Sequence, residues 1–155
     1  MHMVDRLRKI SSVYIVFLLL VIFLSTSCAQ TYVVHRVIDG DTLLLNNSEQ
    51  VRLIGADTPE TKHPRKPVQY FGMEAYQFTK QMVEGKVVRL EYDWQRRDRY
   101  LRLLAYVYFM DGTFLNAEII KQGYGFAYTR YPFKFLDEFR LYQREAREQK
   151  RGLWR

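Results

Sequence analysis

Acidic side chains are concentrated between residues 39 and 60 of a chain that is otherwise basic. This window holds five carboxylates and one basic residue, in the order Asp39, Asp41, Glu49, Arg52, Asp57 and Glu60. Crowded like charges destabilise one another unless a cation lies among them. Carboxylate and carbonyl oxygens are ligands that calcium and magnesium prefer, whereas zinc favours histidine and cysteine. The window therefore predicts a site for a hard divalent cation, either calcium or magnesium.

The overall charge predicts a polyanionic partner. The chain has 24 Lys and Arg against 17 Asp and Glu, a formal net charge of +7. Such an excess favours nucleic acid or an anionic membrane surface. Binding to a membrane surface would explain the charge but would leave the carboxylate window unexplained.

Length and composition restrict the class of protein. A chain of 155 residues with 48% hydrophobic residues provides one packed core, which excludes two large domains and an intrinsically disordered chain. A single cysteine excludes an intramolecular disulfide and a cysteine-rich zinc site.

The elements that must position the acidic window are mostly strands. Runs rich in β-branched and aromatic residues predict strands at 31–38, 42–45, 50–54, 87–92 and 103–109, with a charged loop at 93–99. Phe71, Ala75, Phe78 and Met82 lie on one face of a predicted helix, and Gly85 follows as its stop. Further helices are predicted at 115–121 and 136–150. This order suits an α+β protein, a five-stranded OB-type β-barrel with about three helices, although periodicity alone leaves it as one option among several.

Three separated motifs carry a resemblance to a known family. They are VIDGDT at 37–42, RLIGADTPET at 52–61, and RYLR at 99–102 followed by LAYVY at 104–108. In this order and spacing they resemble the staphylococcal nuclease (thermonuclease) family, over nearly the whole mature chain from about His35 to Trp154. The resemblance implies a nuclease that acts on DNA and RNA with little sequence preference and leaves 3′-phosphates.

The same resemblance implies a calcium site. Asp41 and Asp57 correspond to the carboxylates that bind calcium, and the backbone carbonyl of Thr58 to a further ligand. Asp39 corresponds to a carboxylate directly behind these ligands.

The catalytic residues implied by the resemblance are Arg52, Arg102 and Glu60. The two arginines match those that hold the scissile phosphate, and Glu60 matches the general base for the attacking water. A guanidinium fork binds two phosphate oxygens at once, which lysine cannot do. A positioned base contributes about 10² to 10⁴-fold, so electrostatic stabilisation must supply most of the remaining rate enhancement.

Four other positions are implied to contact the substrate. Arg99 and Tyr100 match residues that touch a terminal phosphate, Tyr128 matches an aromatic that packs against a base, and Lys66 falls on a basic loop near the site. Family members commonly have glycine where this chain has Leu101. Leucine would be strained if that turn requires a positive φ.

Residues 1–28 have the plan of an export signal, and residues 29–155 form the nuclease-like domain. Basic residues precede an apolar run at 13–24 that is shorter than a typical membrane span. Cys28 follows a sequence similar to a lipobox, which predicts lipid attachment at Cys28, with ordinary cleavage or an uncleaved anchor as alternatives. The domain is therefore expected to be exported, either secreted or anchored to the bacterial cell envelope, and to be a monomer.

A non-catalytic nucleic-acid-binding OB module is the alternative function. Family relatives that only bind have lost the acidic cluster. Asp41, Asp57, Glu60, Arg52 and Arg102 are all present here, which favours the enzyme.

Overall fold

The structure is a computed structural model that describes residues 30–61 and 67–155. Residues 1–28, with Cys28, and also Lys66 lie outside the described residues. The strands are β1 (Thr31–Asp39), β2 (Thr42–Leu45), β3 (Gln50–Leu53), β4 (Ala56–Asp57), β5 (Val87–Glu91), β6 (Leu103–Phe109) and β7 (Phe126–Ala127). The helices are α1 (Gly72–Val83), α2 (Leu115–Lys121) and α3 (Leu136–Glu148), followed by a 3₁₀ turn at Gly152–Trp154.

Five of the strands form a closed barrel in the order β1-β2-β3-β6-β5, with β5 pairing back to β1. The pairs are antiparallel except for β3 and β6, which run parallel with Val51 opposite Leu103. Alternating side chains such as Val34, Leu43 and Val107 fill the interior and are fully buried. Closure of the sheet leaves no unpaired barrel edge among these strands.

The α+β barrel with three helices predicted from the sequence is confirmed. Predicted and observed bounds differ by only one or two residues, because each strand's alternation and each helix's apolar face are local signals. None of the helices in the described part of the chain is long and apolar enough to cross a membrane.

Two short strands that the sequence did not predict lie outside the barrel. β4 pairs antiparallel with β7, with Ala56 opposite Ala127 and Asp57 opposite Phe126. The backbone N–H of Tyr128 donates to the carbonyl of Gly55 at 2.9 Å. Two-residue strands carry no readable periodicity, yet this pair brings Tyr128 beside the segment that carries Asp57.

A buried amide joins α2 to the barrel beneath that segment. Asn116 is fully buried, and its Nδ2 donates to the carbonyls of Ile54 at 3.0 Å and Ala105 at 3.1 Å. Its Oδ1 accepts from the N–H of Val107 at 2.9 Å. These bonds satisfy backbone groups where β3 leaves the parallel pair, so they hold the start of the 54–58 segment in place.

Candidate active site

Arg52 joins two carboxylates at one edge of the barrel. The register of β2 and β3 sets Arg52 opposite Thr42, next to Asp41 in the β1–β2 turn. One guanidinium nitrogen, Nη1, contacts Oδ1 of Asp41, and Nη2 lies 2.5 Å from Oδ1 of Asp57. The side chain of Asp41 is 3% exposed, whereas that of Asp57 is 43% exposed. The carboxylates therefore converge on a single cation, one from inside the fold and one from its surface.

Hydrogen bonds hold the Asp41 carboxylate in one orientation. Thr58 donates twice to Oδ2, from its backbone N–H at 2.8 Å and from its hydroxyl at 3.0 Å. The hydroxyl of Thr42 donates to Oδ1 at 3.0 Å. Thr58 can approach so closely because Gly40 lacks a side chain, since a Cβ at Gly40 would lie 2.6 Å from Oγ1 of Thr58.

The ionisation of this cluster follows from burial and pairing. Burial disfavours the charged guanidinium, but the carboxylates of Asp41 and Asp57 outweigh that effect and raise the pKa of Arg52. Burial is the main reason that the pKa of Asp57 is raised, and the nearby Arg52 only partly offsets it. The pairing therefore favours the charged form of Arg52, whereas burial makes the charged form of Asp57 less favourable than it would be in water.

Asp39 and Glu60 form a second acidic group beside the first. Asp39 is 8% exposed and accepts from the hydroxyl of Thr61 at 2.8 Å and the N–H of Gly40 at 2.9 Å. Burial, followed by a hydrogen bond with the Glu60 side chain, raises the pKa of Asp39. The backbone at Glu60 is joined to Gln69 by two hydrogen bonds of 3.0 Å.

The donor set at Arg52 fits a hard cation. Asp41 and Asp57 present carboxylate oxygens to one positively charged group, which shows that the fold brings them close enough to share a cation. Within residues 30–61 and 67–155, no three or more His, Cys, Asp or Glu side chains are grouped so as to hold a metal. A metal here would therefore need backbone or water oxygens in addition to the two carboxylates.

Arg102 is held by a carboxylate in the turn before β6. Its Nε and Nη2 both lie 2.7 Å from Oδ2 of Asp98, and its side chain is 26% exposed. Oδ1 of Asp98 accepts from the N–H groups of Tyr100 at 2.9 Å and Arg102 at 3.0 Å. Asp98 therefore orients both the backbone of the turn and the guanidinium of Arg102.

Leu101 occupies a left-handed conformation in that turn, with a φ of 65°. Its N–H donates to the carbonyl of Asp98 at 3.0 Å, and its side chain is among the exposed large hydrophobic groups. The turn requires the positive φ that glycine adopts freely, so the strain predicted for leucine at this position is present.

A cleft of about 540 Å³ gathers most of the predicted phosphate and base contacts. Among its lining residues are Arg52, Arg99, Tyr100, Arg102 and Tyr128. The hydroxyl of Tyr100 accepts from Arg99 at 2.7 Å, and the Arg102 guanidinium lies 5.4 Å from the centre of the Tyr100 ring. Arg52 alone belongs to both the cleft lining and the carboxylate cluster.

Arg52 connects the cleft to the carboxylates of the 39–60 window, which lie outside the cleft lining. Asp41, Asp57 and Glu60 are not among the residues that line the cleft. Asp41 and Asp57 contact Arg52 directly, Thr58 contacts Asp41, and Glu60 lies against Asp39.

Sequence reasoning missed several residues that shape the cleft. They are Asp93, Trp94, Asp98, Arg130, Pro132 and Phe133. One signal was available, because Trp94 is the only apolar residue within the charged stretch 93–99. Its partners in the 130–133 segment could not be read from the sequence, since they lie almost forty residues away along the chain.

Comparison with known proteins identifies the chain's relatives. A family model described as "Staphylococcal nuclease homologue" matches residues 50–155. The chain is 42% identical to the thermonuclease of Staphylococcus hyicus over 84% of its own length and 79% of that protein. It is also 42% identical to the thermonuclease of Staphylococcus intermedius, over 81% of the chain and 76% of that protein. Endonuclease YncB of Bacillus subtilis (strain 168) is 41% identical over 77% of the chain and 59% of its own length.

Proposed function

The chain belongs to the staphylococcal nuclease family and is a nuclease, and we propose that it is a calcium-dependent enzyme that cuts DNA and RNA with little sequence preference. The observation that carries this proposal is the convergence of Asp41 and Asp57 on Arg52, which also lines the cleft with Arg102. A calcium ion held by Asp41, Asp57 and the carbonyl of Thr58 would supply positive charge next to the phosphate.

Two guanidiniums bind the scissile phosphate in this proposal. Arg52 reaches the cleft from β3 and Arg102 from the turn before β6, so they approach the phosphate from different directions. Negative charge grows on the non-bridging oxygens as water attacks phosphorus, and fixed guanidiniums stabilise that charge without reorganising. For Arg52 to serve the phosphate, its contacts with Asp41 and Asp57 must loosen, which a cation between these carboxylates would favour.

Glu60 is the proposed general base. Its carboxylate takes a proton from the attacking water, the new bond forms between water oxygen and phosphorus, and the bond from phosphorus to the 5′ oxygen breaks. The leaving 5′ oxygen takes a proton from solvent water and Glu60 later returns its proton to solvent, so the products are a 3′-phosphate and a 5′-hydroxyl. The contact of Glu60 with Asp39 keeps its carboxyl group near the carboxylate cluster.

Substrate binding is assigned to side chains around the two arginines. Arg99 and Tyr100 bind a neighbouring phosphate, and Tyr128 packs against a base. Lys66, which lies outside the described residues, is proposed to add positive charge for substrate binding. None of these assigned contacts reads a base edge, which accounts for the low sequence preference in this proposal.

Export is a further part of the proposal. It rests on the basic start and apolar run of residues 1–28, which precede the domain at 29–155. Mass spectrometry of protein recovered from a bacterial host would distinguish a lipid on Cys28 from ordinary cleavage or an uncleaved anchor. An unprocessed chain retained in the cytoplasm would contradict export.

We propose that the exported domain acts as a monomer.

The deciding experiment measures cleavage of single- and double-stranded DNA and of RNA with calcium, with magnesium and with a chelator. We expect calcium-dependent cutting that is lost in Asp41→Asn and retained in the matched control Asp137→Asn, whose side chain is 92% exposed on α3. End-group analysis should find 3′-phosphates. Cutting that is unaffected by chelator, or by Asp41→Asn, would overturn calcium dependence. Salt-dependent binding without cutting under any metal would favour a binding module instead.

A further inference from the structure

An exposed aromatic wall lies on the cleft beyond the residues assigned above. Trp94 is 69% exposed and Tyr131 is 54% exposed, and both line the same cleft as Arg52 and Arg102. Large aromatic side chains left in water at a concave surface mark binding sites, because covering them recovers hydrophobic free energy. We refer to Trp94, Arg130 and Tyr131 as the aromatic wall.

Trp94 is held in place despite its exposure. Its indole Nε1 donates to the carbonyl of Pro132 at 3.1 Å, which joins the β5–β6 loop to the segment after β7. Its backbone N–H donates to Oδ1 of Asp93 at 2.8 Å. Because the ring is anchored before any ligand arrives, little side-chain entropy is lost when a ligand covers it.

Asp93 connects the two segments that carry the wall. Its Oδ2 accepts from the hydroxyl of Tyr106 at 2.5 Å and from the N–H of Lys134 at 2.8 Å. The carboxylate thus ties the Trp94 loop to the barrel strand β6 and to the 130–134 segment. The aromatic wall is a preformed surface on the barrel.

The charges around the wall suit a polyanion. The guanidinium of Arg130 lies 5.7 Å from the centre of the Tyr131 ring, and Arg99 lines the same cleft. The acidic residues that line the cleft, Asp93 and Asp98, are both engaged in hydrogen bonds with protein donors. Tyr128, the proposed base contact, lies 6.1 Å from Tyr131 between ring centres, so the wall continues from that position.

We propose that the aromatic wall is an additional nucleotide subsite, in which Trp94 and Tyr131 stack on bases next to the cleavage position and Arg130 binds the intervening phosphate. This inference rests on the proposed function, since it assigns the occupant as the nuclease's own substrate strand. Aromatic rings stack on any base without reading its edge, in agreement with low sequence preference. Bases in a duplex already stack on one another, so the subsite favours single-stranded substrates.

Steady-state cleavage of thymidine oligonucleotides tests the subsite. The whole chain and its variants are compared on a dinucleotide, which spans only the scissile phosphate, and on an octanucleotide, which extends along the cleft. We expect Trp94→Ala to lower kcat/KM for the octanucleotide about tenfold through KM, with the dinucleotide unchanged. Tyr131→Ala should act in the same direction, and the preference for single-stranded over double-stranded DNA should fall.

Conservative variants separate stacking from positioning. Trp94→Phe keeps an aromatic face but removes the bond to Pro132, so it should retain most of the octanucleotide activity. The proposal would be overturned if the ratio of kcat/KM for the octanucleotide to kcat/KM for the dinucleotide were the same in wild type and Trp94→Ala. It would also be overturned by a Trp94→Phe variant as impaired as Trp94→Ala, which would show that the indole bond positions the loop and that stacking contributes nothing.

Fluorescence tests the contact without requiring cleavage. The second tryptophan, Trp154, packs at the C-terminal turn against Phe126 and Arg147. Trp154→Phe therefore leaves the emission of Trp94 as the only tryptophan emission. Saturable quenching of that emission by the octanucleotide, with calcium or with chelator, would support the subsite. Absence of quenching under both conditions would overturn it. A chain that cut neither substrate would contradict the proposed nuclease chemistry, and the quenching result would still decide the subsite.

Discussion

The guanidinium of Arg52 pairs with the carboxylate of Asp41, whose side chain is only 3% exposed. A buried ion pair is costly to break from one side, because the remaining charge is left without a partner. Asp57 adds a second negative charge to the same guanidinium. Arg52 therefore stabilises the acidic cluster in addition to its proposed role at the phosphate.

Replacing Arg52 with glutamine should reduce stability and activity together. In chelator, we expect Arg52→Gln to lower the free energy of unfolding by about 3 kcal/mol, since Asp41 loses its cationic partner. Calcium should restore more stability to this variant than it adds to the wild type, because it supplies the missing charge between Asp41 and Asp57. Cleavage should fall about 10² to 10³-fold even with calcium, since the phosphate loses one guanidinium.

Urea unfolding in chelator and in calcium measures the loss of stability and its recovery with calcium. Arg140→Gln is the matched control, because Arg140 makes a solvent-exposed pair with Asp137 on α3 and should change stability little. If calcium raised the free energy of unfolding equally in Arg52→Gln and in wild type, calcium and the Arg52 guanidinium would not share the position between Asp41 and Asp57.

Replacing Leu101 with glycine should stabilise the protein. A non-glycine residue in the left-handed region costs about 1 to 2 kcal/mol, and the greater freedom of glycine in the unfolded chain offsets part of that. We expect Leu101→Gly to raise the free energy of unfolding by about 0.5 kcal/mol and to cut at least as fast as wild type. Leu101→Ala retains the positive φ and should show no gain. A loss of stability in Leu101→Gly would mean that the leucine side chain contributes packing that outweighs the strain.

Replacing Asn116 with alanine should destabilise the barrel. The carbonyl of Ile54 and the N–H of Val107 would lose the amide's hydrogen bonds, and the Ala105 carbonyl would keep only its bond from the N–H of Ile54. The expected loss is about 3 kcal/mol, measured by chemical denaturation, because unsatisfied buried polar groups carry their full desolvation cost. Asn47→Ala, at an exposed turn where Asn47 accepts from the N–H of Glu49, is the control and should cost far less. Similar losses in the two variants would contradict the assigned role of Asn116.

Replacing Asp93 with asparagine should give a stability loss that depends on pH. Burial alone would raise the pKa of Asp93, but hydrogen bonds from Tyr106, Lys134 and Trp94 outweigh it and lower the pKa. A carboxylate with a lowered folded-state pKa contributes stability above its unfolded pKa and loses it as pH falls through the folded value. Asp93→Asn should therefore be less stable by on the order of 1 kcal/mol at pH 7, a figure that allows for partial exposure.

The difference between Asp93→Asn and wild type should narrow as pH falls below about 4, because the Asp93 carboxylate then binds a proton in the unfolded chain before it does so in the folded protein. Unfolding curves at pH 7, 5 and 3 measure this, with Asp137→Asn as a control that shows no such trend. A difference that stays constant down to pH 3 would show that the anionic form of Asp93 contributes nothing. Because Asp93 anchors the aromatic wall, the variant also reports on how firmly Trp94 is held.

The barrel and helices could be predicted from the sequence because their signals are local. Alternation in the strands and the spacing of Phe71, Ala75, Phe78 and Met82 each report one buried face. The parallel pairing of β3 with β6 and the two-residue strands β4 and β7 were not predicted. Each depends on which distant segments meet, and neither leaves a periodic trace.

The site divides in the same way. By itself, the sequence determined which residue types were available: carboxylates in one window, arginines at 52 and 102, and a tryptophan in a charged loop. Only the tertiary structure decided that one guanidinium joins Asp41 to Asp57, that Leu101 takes a positive φ, and that Trp94 lies against Pro132. The physical reason is that residue type sets the charge and hydrogen-bonding capacity of a side chain, whereas its partners are set by chain closure into the barrel.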